Sequence, residues 1–531
     1  SIEIDRKYTT FVSNHGGTTS REVIYALLPN VCSILLATTT LSLIGKYLHK
    51  HLKVLIEFIL IIIPCILCCT VLSEYVIIVC LLMMLVSLIN IALMGSRLHA
   101  LSNFDVKPVQ GKRPFITNFR ALTNIITAVC ILAIDFRIFP RKFAKTEVFG
   151  YSLMDTGVGL FVLANALVAP EARDFGYCLK GSFFYTLVKN MKQATKSCIP
   201  LLLLGFGRSI AIEFTGYQKH VTEYGIHWNF FITLAFVRLF TSSITSTINS
   251  KYSLLSGIWI LAMHEYILST KGLKEWVLSN ETRDDFVSAN REGVVSVPGY
   301  VGLYLIGVAI GRLIHSTYHH LNRPYAFHSK HKSFHMEIYG YKFDASYNES
   351  MVLCVKLSLI AAQTCAATLF CDGYFRVSRR LANAGYCMWI LTLGVMMLTL
   401  LLLVEIVIDM IACASIPPGK TSETKNSRYP RAVPKTKREK VETDETKEQT
   451  ITRTLEIFEA VNYNGLFFFL LSNLLTGSVN MTILTLYVKE LKALQILIGY
   501  MAVTITSTFL LYKTIGKLFT SQIQLPNRVG T

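Results

Sequence analysis

The chain has 531 residues, of which 52% are hydrophobic and only 16% charged, whereas a soluble globular chain carries about 25% charged residues. With a mean hydropathy of +0.45, that balance excludes a string of water-soluble domains, a disordered chain and a disulfide-stapled secreted module, and leaves an all-α polytopic membrane protein. The net charge of +18, from 52 Lys and Arg against 34 Asp and Glu, is unexpected beside so little charge, and its distribution carries information.

The first 22 residues are polar, and the apolar run after them is long enough to stay in the membrane, so no cleaved leader is expected here. A bilayer core takes about 20 apolar residues per helix. Runs of that kind fall at 23–48, 53–73, 75–97, 117–137, 151–170, 198–214, 227–248, 253–270, 295–317, 350–371, 380–413, 454–479 and 489–513, which gives about thirteen transmembrane helices. Between the eleventh and twelfth runs, 415–453 holds ten Lys/Arg, six Asp/Glu and four prolines with no Leu, Phe or Trp. Such a segment buries no core and reads as a disordered basic loop. The chain thus divides into 1–22, a bundle over 23–414, the loop 415–453, and 454–531 with the last two helices and a tail.

Basic residues prefer cytosolic loops. With the Lys and Arg near span ends assigned to the side they border, 17 fall on the side of the N-terminus and 32 on the other, so the N-terminus is expected in the lumen and the C-terminus in the cytosol. The sequons Asn280-Glu281-Thr282 and Asn480-Met481-Thr482 fall on the lumenal side, and Asn348-Glu349-Ser350 does not. The surplus charge is therefore an orientation signal and not a nucleic-acid footprint.

Most of the 13 cysteines lie inside apolar runs and read as packing residues. The pair Cys65-x-x-Cys68 has no second ligand pair nearby, and His328, His331 and His335, at a spacing that suits one helical face, have no carboxylate-rich surroundings; no metal site is expected. Ionisable residues inside spans are functional candidates by default: Glu57, Asp135, Asp155, Arg208, Arg238, His264, Glu265, Lys356, Glu405 and Asp409. For Glu57, Lys356, Glu405 and Asp409, near span ends, snorkelling to the interface is the ordinary explanation.

Three polar clusters gather on the lumenal side. In 133–159 an apolar helix ends at Asp135, Pro140 stops it, Arg137, Arg141, Lys142 and Lys145 follow, and Asp155 opens the next helix. Asp135 and Lys145 would serve as proton acceptor and oxyanion or phosphate clamp; the same residues would equally make a structural ion-pair hairpin. In 216–229, His227 joins Glu223, Tyr224, Trp228 and Asn229 as a base or hydrogen-bond donor, or as members of an interfacial belt. Before the ninth span, Asn290 and Arg291 suit a phosphodiester.

The segments AIDFRIFPRKFAKTEVFG, GYQKHVTEYGIHWNFFIT, SANREGVVS and RRLANAGYCMWI, with the opening FVSNHGGTTSRE, closely resemble the glucosaminyl-phosphatidylinositol acyltransferases of the PIG-W type, known in fungi as the GPI-anchored wall transfer proteins. The likeness runs from about Phe11 to the last span and lapses in 312–350 and 415–453. It implies a multi-pass enzyme of the endoplasmic reticulum membrane that moves a palmitoyl chain from its coenzyme A ester to the inositol 2-hydroxyl of glucosaminyl-phosphatidylinositol, with no permanently bound cofactor. The family's catalytic acid and lysine fall on Asp135 and Lys145, while Arg137 and Lys142 depart from its motif. Under that reading His227 is a further base candidate. Arg141, Asn290 and Arg291 would hold phosphate and inositol, Phe139, Tyr224 and Trp228 would line the walls, and Asp155, Glu223 and Asn229 would complete the substrate site. With no Ser or Cys standing out as nucleophile, transfer is expected to be direct. A transporter or flippase of a lipid-linked anion, or a non-catalytic assembly subunit, would show the same composition.

Overall fold

The computed structural model describes residues 15–94, 113–173, 183–215, 221–270, 272–279, 281–319, 333–338, 341–346, 349–414 and 455–523. The basic loop 415–453, the sequon residues Asn280 and Asn348, and His328 and His331 lie outside them.

Each of the thirteen apolar segments falls on helix. In chain order these are α1 (Ser20–Ile44), α2 (His51–Cys69), α3 (Val76–Leu93), α4 (Pro114–Ala133), α5 (Leu153–Leu167), α6 (Phe183–Thr215), α7 (Phe230–Thr247), α8 (Ser253–Thr270), α9 (Arg291–His319), α10 (Glu349–Phe375), α11 (Ala384–Ala414), α12 (Glu456–Tyr463), α13 (Gly465–Thr482) and α14 (Glu490–Ile523). Among the described residues ten helices are long and apolar enough to cross a membrane. The other three of the thirteen are α5, which has only 15 residues, α6, whose first half carries Lys189, Lys192 and Lys196, and α8, where His264 and Glu265 interrupt the apolar run. Three boundaries depart most from the sequence reading, the first being α6, which begins at Phe183 and not at 198. The twelfth segment is two helices broken at Asn464, and the eleventh begins at Ala384, leaving 376–383 non-helical. The all-α expectation also meets one exception, an antiparallel hairpin of Ser333–Ile338 and Tyr341–Ser346. His335 is on its first strand, so the helical face suggested by the histidine spacing does not form there.

Burial sorts the helices into an inner and an outer set. The apolar stretches of α4 and α9 are 78% buried, against 17% for α10 and 22% for α3. The outer faces present apolar side chains such as Leu81, Leu85, Leu359 and Phe370, as hydrocarbon requires. Close crossings rely on small residues: a side chain on Gly257 would run into Ile306 and the backbone of Gly302, which is where α8 meets α9.

Three of the intramembrane carboxylates prove to be caps. Glu57 of α2 accepts from the backbone N–H groups of Glu456 (3.0 Å) and Ile457 (2.9 Å) at the start of α12. Glu265 accepts from Ala384 N–H (2.8 Å) at the start of α11, and Glu405 from Phe115 N–H (3.0 Å) at the start of α4. A helix start leaves N–H groups unpaired, and in hydrocarbon no water completes them. Snorkelling does not describe Glu57, which is 1% exposed. Glu57→Ala is expected to cost about 1–2 kcal/mol by loss of the cap, read as a lower thermal midpoint in detergent, with Glu57→Gln milder because it keeps an acceptor.

Candidate active site

The residues after α4 leave the membrane core in a tight turn whose carbonyls are gathered by one side chain. Arg141 donates from Nη2 to Ile134 O (2.9 Å), Phe136 O (2.8 Å) and Phe139 O (3.0 Å), and from Nε to Phe139 O (3.1 Å). Arg141 therefore braces the turn. Phe139 is buried against Phe143, with ring centroids 6.3 Å apart. Lys142 pairs outward with Glu74 (2.7 Å) and Glu22 (3.3 Å), and those two carboxylates raise its pKa against the opposing effect of burial.

The chain then runs through Lys145 to Tyr151 as a loop pinned on three sides. The N-terminal strap crosses it, with Thr18 N–H donating to Tyr151 O (2.7 Å) and Glu147 N–H to His15 O (3.3 Å). Gly17, at φ +78°, has no room for a side chain against Tyr151. From the other side Gly150 N–H donates to Val377 O (3.0 Å) and Ser378 Oγ to Val148 O (2.7 Å). From below, Asp155 in the first turn of α5 accepts from Thr146 N–H (3.2 Å) and Thr146 Oγ1 (2.7 Å).

Lys145 is thereby placed at the wall of a cavity of about 220 Å³ between α4, α5, α6, α7 and the 223–230 segment. Its Nζ donates to Glu223 Oε1 at 2.6 Å. Glu223 also faces Arg379 Nη1 at 3.8 Å, and Arg379 Nε donates to Asp155 Oδ1 at 2.7 Å. A continuous chain of charge thus runs Lys145, Glu223, Arg379, Asp155, and returns to Thr146 beside Lys145. Burial pushes the Glu223 carboxyl up, but Lys145 and then Arg379 outweigh it and hold its pKa at about 2. It remains a carboxylate at physiological pH.

The far end of the cavity is apolar. Phe161, Phe230 and Phe469 form a triangle with centroids 5.3, 5.6 and 5.9 Å apart, and Ile131, Leu160 and Val158 extend it. Between the two ends lies Asn229, which caps α7 by accepting from Phe231 and Ile232 N–H groups and ties α6 to it by donating to Gly205 O (2.7 Å).

Of the residues singled out in the sequence, Lys145, Glu223, Tyr224, Trp228 and Asn229 line this cavity, and Asp135, His227, Phe139, Arg141, Asp155, Asn290 and Arg291 do not. Asp135 lies just past Cys130 and Ile131 of the wall, 6% exposed, where Asn480 Nδ2 donates to its Oδ2 at 2.9 Å. The amide of the second sequon is thus engaged with Asp135. His227 has an exposed side chain, and its backbone N–H, with that of Trp228, donates to Asn290 Oδ1 (2.8 and 3.0 Å). Asn290, 0% exposed, is thus the clamp that shapes the 226–228 turn. Gly225, at φ +116°, allows that turn to press on Asn290. Arg291 is sealed under Trp276 at 5.7 Å and donates to Ser279 O. Its neighbour Glu292 is held by Arg283 (2.6 Å) and Arg380 (2.7 Å). Neither Asn290 nor Arg291 reaches the cavity.

Of two further cavity cations, Arg379 escaped the sequence reading and Arg208 entered it only as an ionisable residue inside a span. Arg379 stands at the head of RRLANAGYCMWI, but only the fold shows that it joins Asp155 to Glu223. Arg208 is marked in sequence as a charge inside an apolar run, and the fold turns it to the cavity.

A family model described as GWT1 matches residues 5–511. The chain belongs to the GWT1 family. It is 31% identical to the cattle (Bos taurus) protein named glucosaminyl-phosphatidylinositol-acyltransferase PIGW, over 92% of this chain and 94% of that one. The human (Homo sapiens) protein of the same name is 29% identical over 94% and 96%. The GPI-anchored wall transfer protein 1 of Yarrowia lipolytica is 32% identical over 77% and 74%. Membership with such relatives makes the chain an acyltransferase.

Proposed function

We propose that this enzyme transfers a long fatty acyl group, palmitoyl in the first instance, from coenzyme A to the inositol 2-hydroxyl of glucosaminyl-phosphatidylinositol in GPI-anchor assembly. The observation that carries this reading is Lys145, fixed by Glu223, at the polar end of a cavity whose other end is the apolar Phe161, Phe230 and Phe469 cluster. An acyl chain fits the apolar end, and a thioester carbonyl then falls near a fixed cation. The inositol oxygen attacks that carbonyl, and its proton passes, through one intervening water, to Asp135, which lies just off the cavity wall and which Asn480 orients. Lys145 holds the oxyanion of the tetrahedral intermediate. Collapse breaks the C–S bond, and the thiolate of coenzyme A takes up the proton. No acyl-enzyme is formed. The ion pair with the Glu223 carboxylate suits Lys145 to electrostatic stabilisation better than to proton abstraction.

The purified protein, given labelled palmitoyl-CoA and glucosaminyl-phosphatidylinositol, is expected to form an acylated lipid stable to removal of the donor. Redistribution of lipid without product would defeat the proposal, as would full turnover by both Asp135→Ala and Lys145→Ala variants. The polar end is proposed to face the lumen of the endoplasmic reticulum, with the donor reaching it through the bundle. A cysteine introduced beside Lys145 should then react with an impermeant thiol reagent only after the membrane is opened.

A further inference from the structure

The charges around the cavity do not balance, and the imbalance has an address. Its wall carries three cations, Lys145, Arg208 and Arg379, and one carboxylate, Glu223. Lys145 is matched by Glu223, and Arg379 is matched by Asp155 behind the wall. Arg208 has no hydrogen bond or ion pair among the described residues, although it lies close enough to act electrostatically on Glu223. It projects from the apolar run LLLLGFGRSIAI of α6, where an unmatched guanidinium is costly and marks a functional site by default.

The backbone that carries it is also fixed. The next residue, Ser209, donates to His227 O (3.0 Å) and accepts from Asn229 Nδ2 (3.2 Å), and Gly205 one turn earlier packs on Ile232. Two bonds and a close crossing therefore hold this turn of α6 against the start of α7.

Resting on the acyl-transfer reading, we propose that Arg208 is the phosphate-binding residue of this cavity and receives a phosphate-ester oxyanion of a bound substrate. Guanidinium forks match phosphate oxygens in pairs. Both substrates carry such a group: the phosphodiester of the acceptor lipid and the phosphates of the coenzyme A donor.

The test varies one substrate at saturation of the other, in wild type, Arg208→Gln and Arg208→Lys. The Gln variant is expected to raise KM for one substrate by about ten- to a hundredfold with kcat little changed, and the Lys variant by less, because a lysine keeps the charge and loses the fork. A rise confined to glucosaminyl-phosphatidylinositol assigns the phosphodiester, and a rise confined to palmitoyl-CoA assigns the coenzyme A phosphates. Equilibrium binding of a short-chain phosphatidylinositol and of coenzyme A to the same variants needs no turnover and must weaken for the same substrate. If neither KM nor either binding constant moves, Arg208 is not the phosphate site. If wild type binds both ligands and Arg208→Gln binds one of them less, yet no product forms in any protein, the acyl-transfer reading fails and the anion site stands. The Lys variant covers a Gln variant that does not fold.

Discussion

Arg379→Met is expected to lower kcat by a hundredfold or more and to drop the thermal midpoint in detergent by several degrees. Arg379 is 5% exposed, and its loss leaves Asp155, itself 3% exposed, as a buried carboxylate without its cation. Breaking one side of such a pair costs about 3–5 kcal/mol. The damage also spreads to chemistry, because Asp155 holds Thr146 by two hydrogen bonds and Arg379 faces Glu223, the partner of Lys145. Both the backbone and the side chain of the lysine loop lose their reference. Displacements of about 1 Å at a reacting group are enough for a hundredfold loss.

The segment carrying Arg379 shows why it is so placed. Arg376 and Ala382 have φ of 61° and 44°, values that non-glycine residues adopt only where the surroundings impose them. Asn383 closes the segment by accepting from Ser378 and Tyr386 N–H groups and donating to Arg376 O. Within that frame Arg379 turns to Asp155 and Arg380 to Glu292. Arg379→Lys is therefore expected to behave as a loss and not as a conservative change, since one ammonium does not reach two carboxylates as a fork does. Removing both members of the pair, with Asp155→Asn and Arg379→Gln, should restore part of the midpoint and little of the turnover. A full recovery of kcat would show that the pair only stabilises the fold.

Hydropathy carries most of the bundle, because burial in hydrocarbon demands apolar runs of a definite length and the bilayer leaves few other solutions. It does not carry the roles of the interior acids. Glu57, Glu265 and Glu405 each close the start of a helix distant in sequence, and nothing local distinguishes such a cap from a catalytic carboxylate. The site shows the same division. Lys145 and the 223–229 cluster are legible because polar residues crowd the ends of spans. Asn290 and Arg291 look equally suitable, yet they build the wall from behind. Arg379 is invisible as a site residue because its partners are 224 positions away at Asp155 and on a separate loop at Glu223.

Lys145→Ala is expected to cost a hundred- to a thousandfold in kcat, the range for removing one oxyanion donor, with both KM values little changed. Its pH signature separates the role assigned to it from that of Glu223. The Glu223 pKa is about 2 in the fold against an ordinary 4.5. A carboxylate lowered in this way adds stability that is complete above 4.5 and is lost as pH falls towards 2. Removing Lys145 takes away the largest of the lowering influences, so the Glu223 pKa rises in the variant and this pH-linked stability shrinks. The gap in thermal midpoint between wild type and Lys145→Ala should therefore be constant from about pH 7 to 5 and narrow as pH is taken to about 3. Acid loss of turnover in the wild type above pH 4.5 cannot arise from Glu223, and Glu223→Gln must leave that limb in place. If Glu223→Gln instead removes the limb, Glu223 exchanges a proton during turnover, and the base belongs at the cavity wall and not at Asp135.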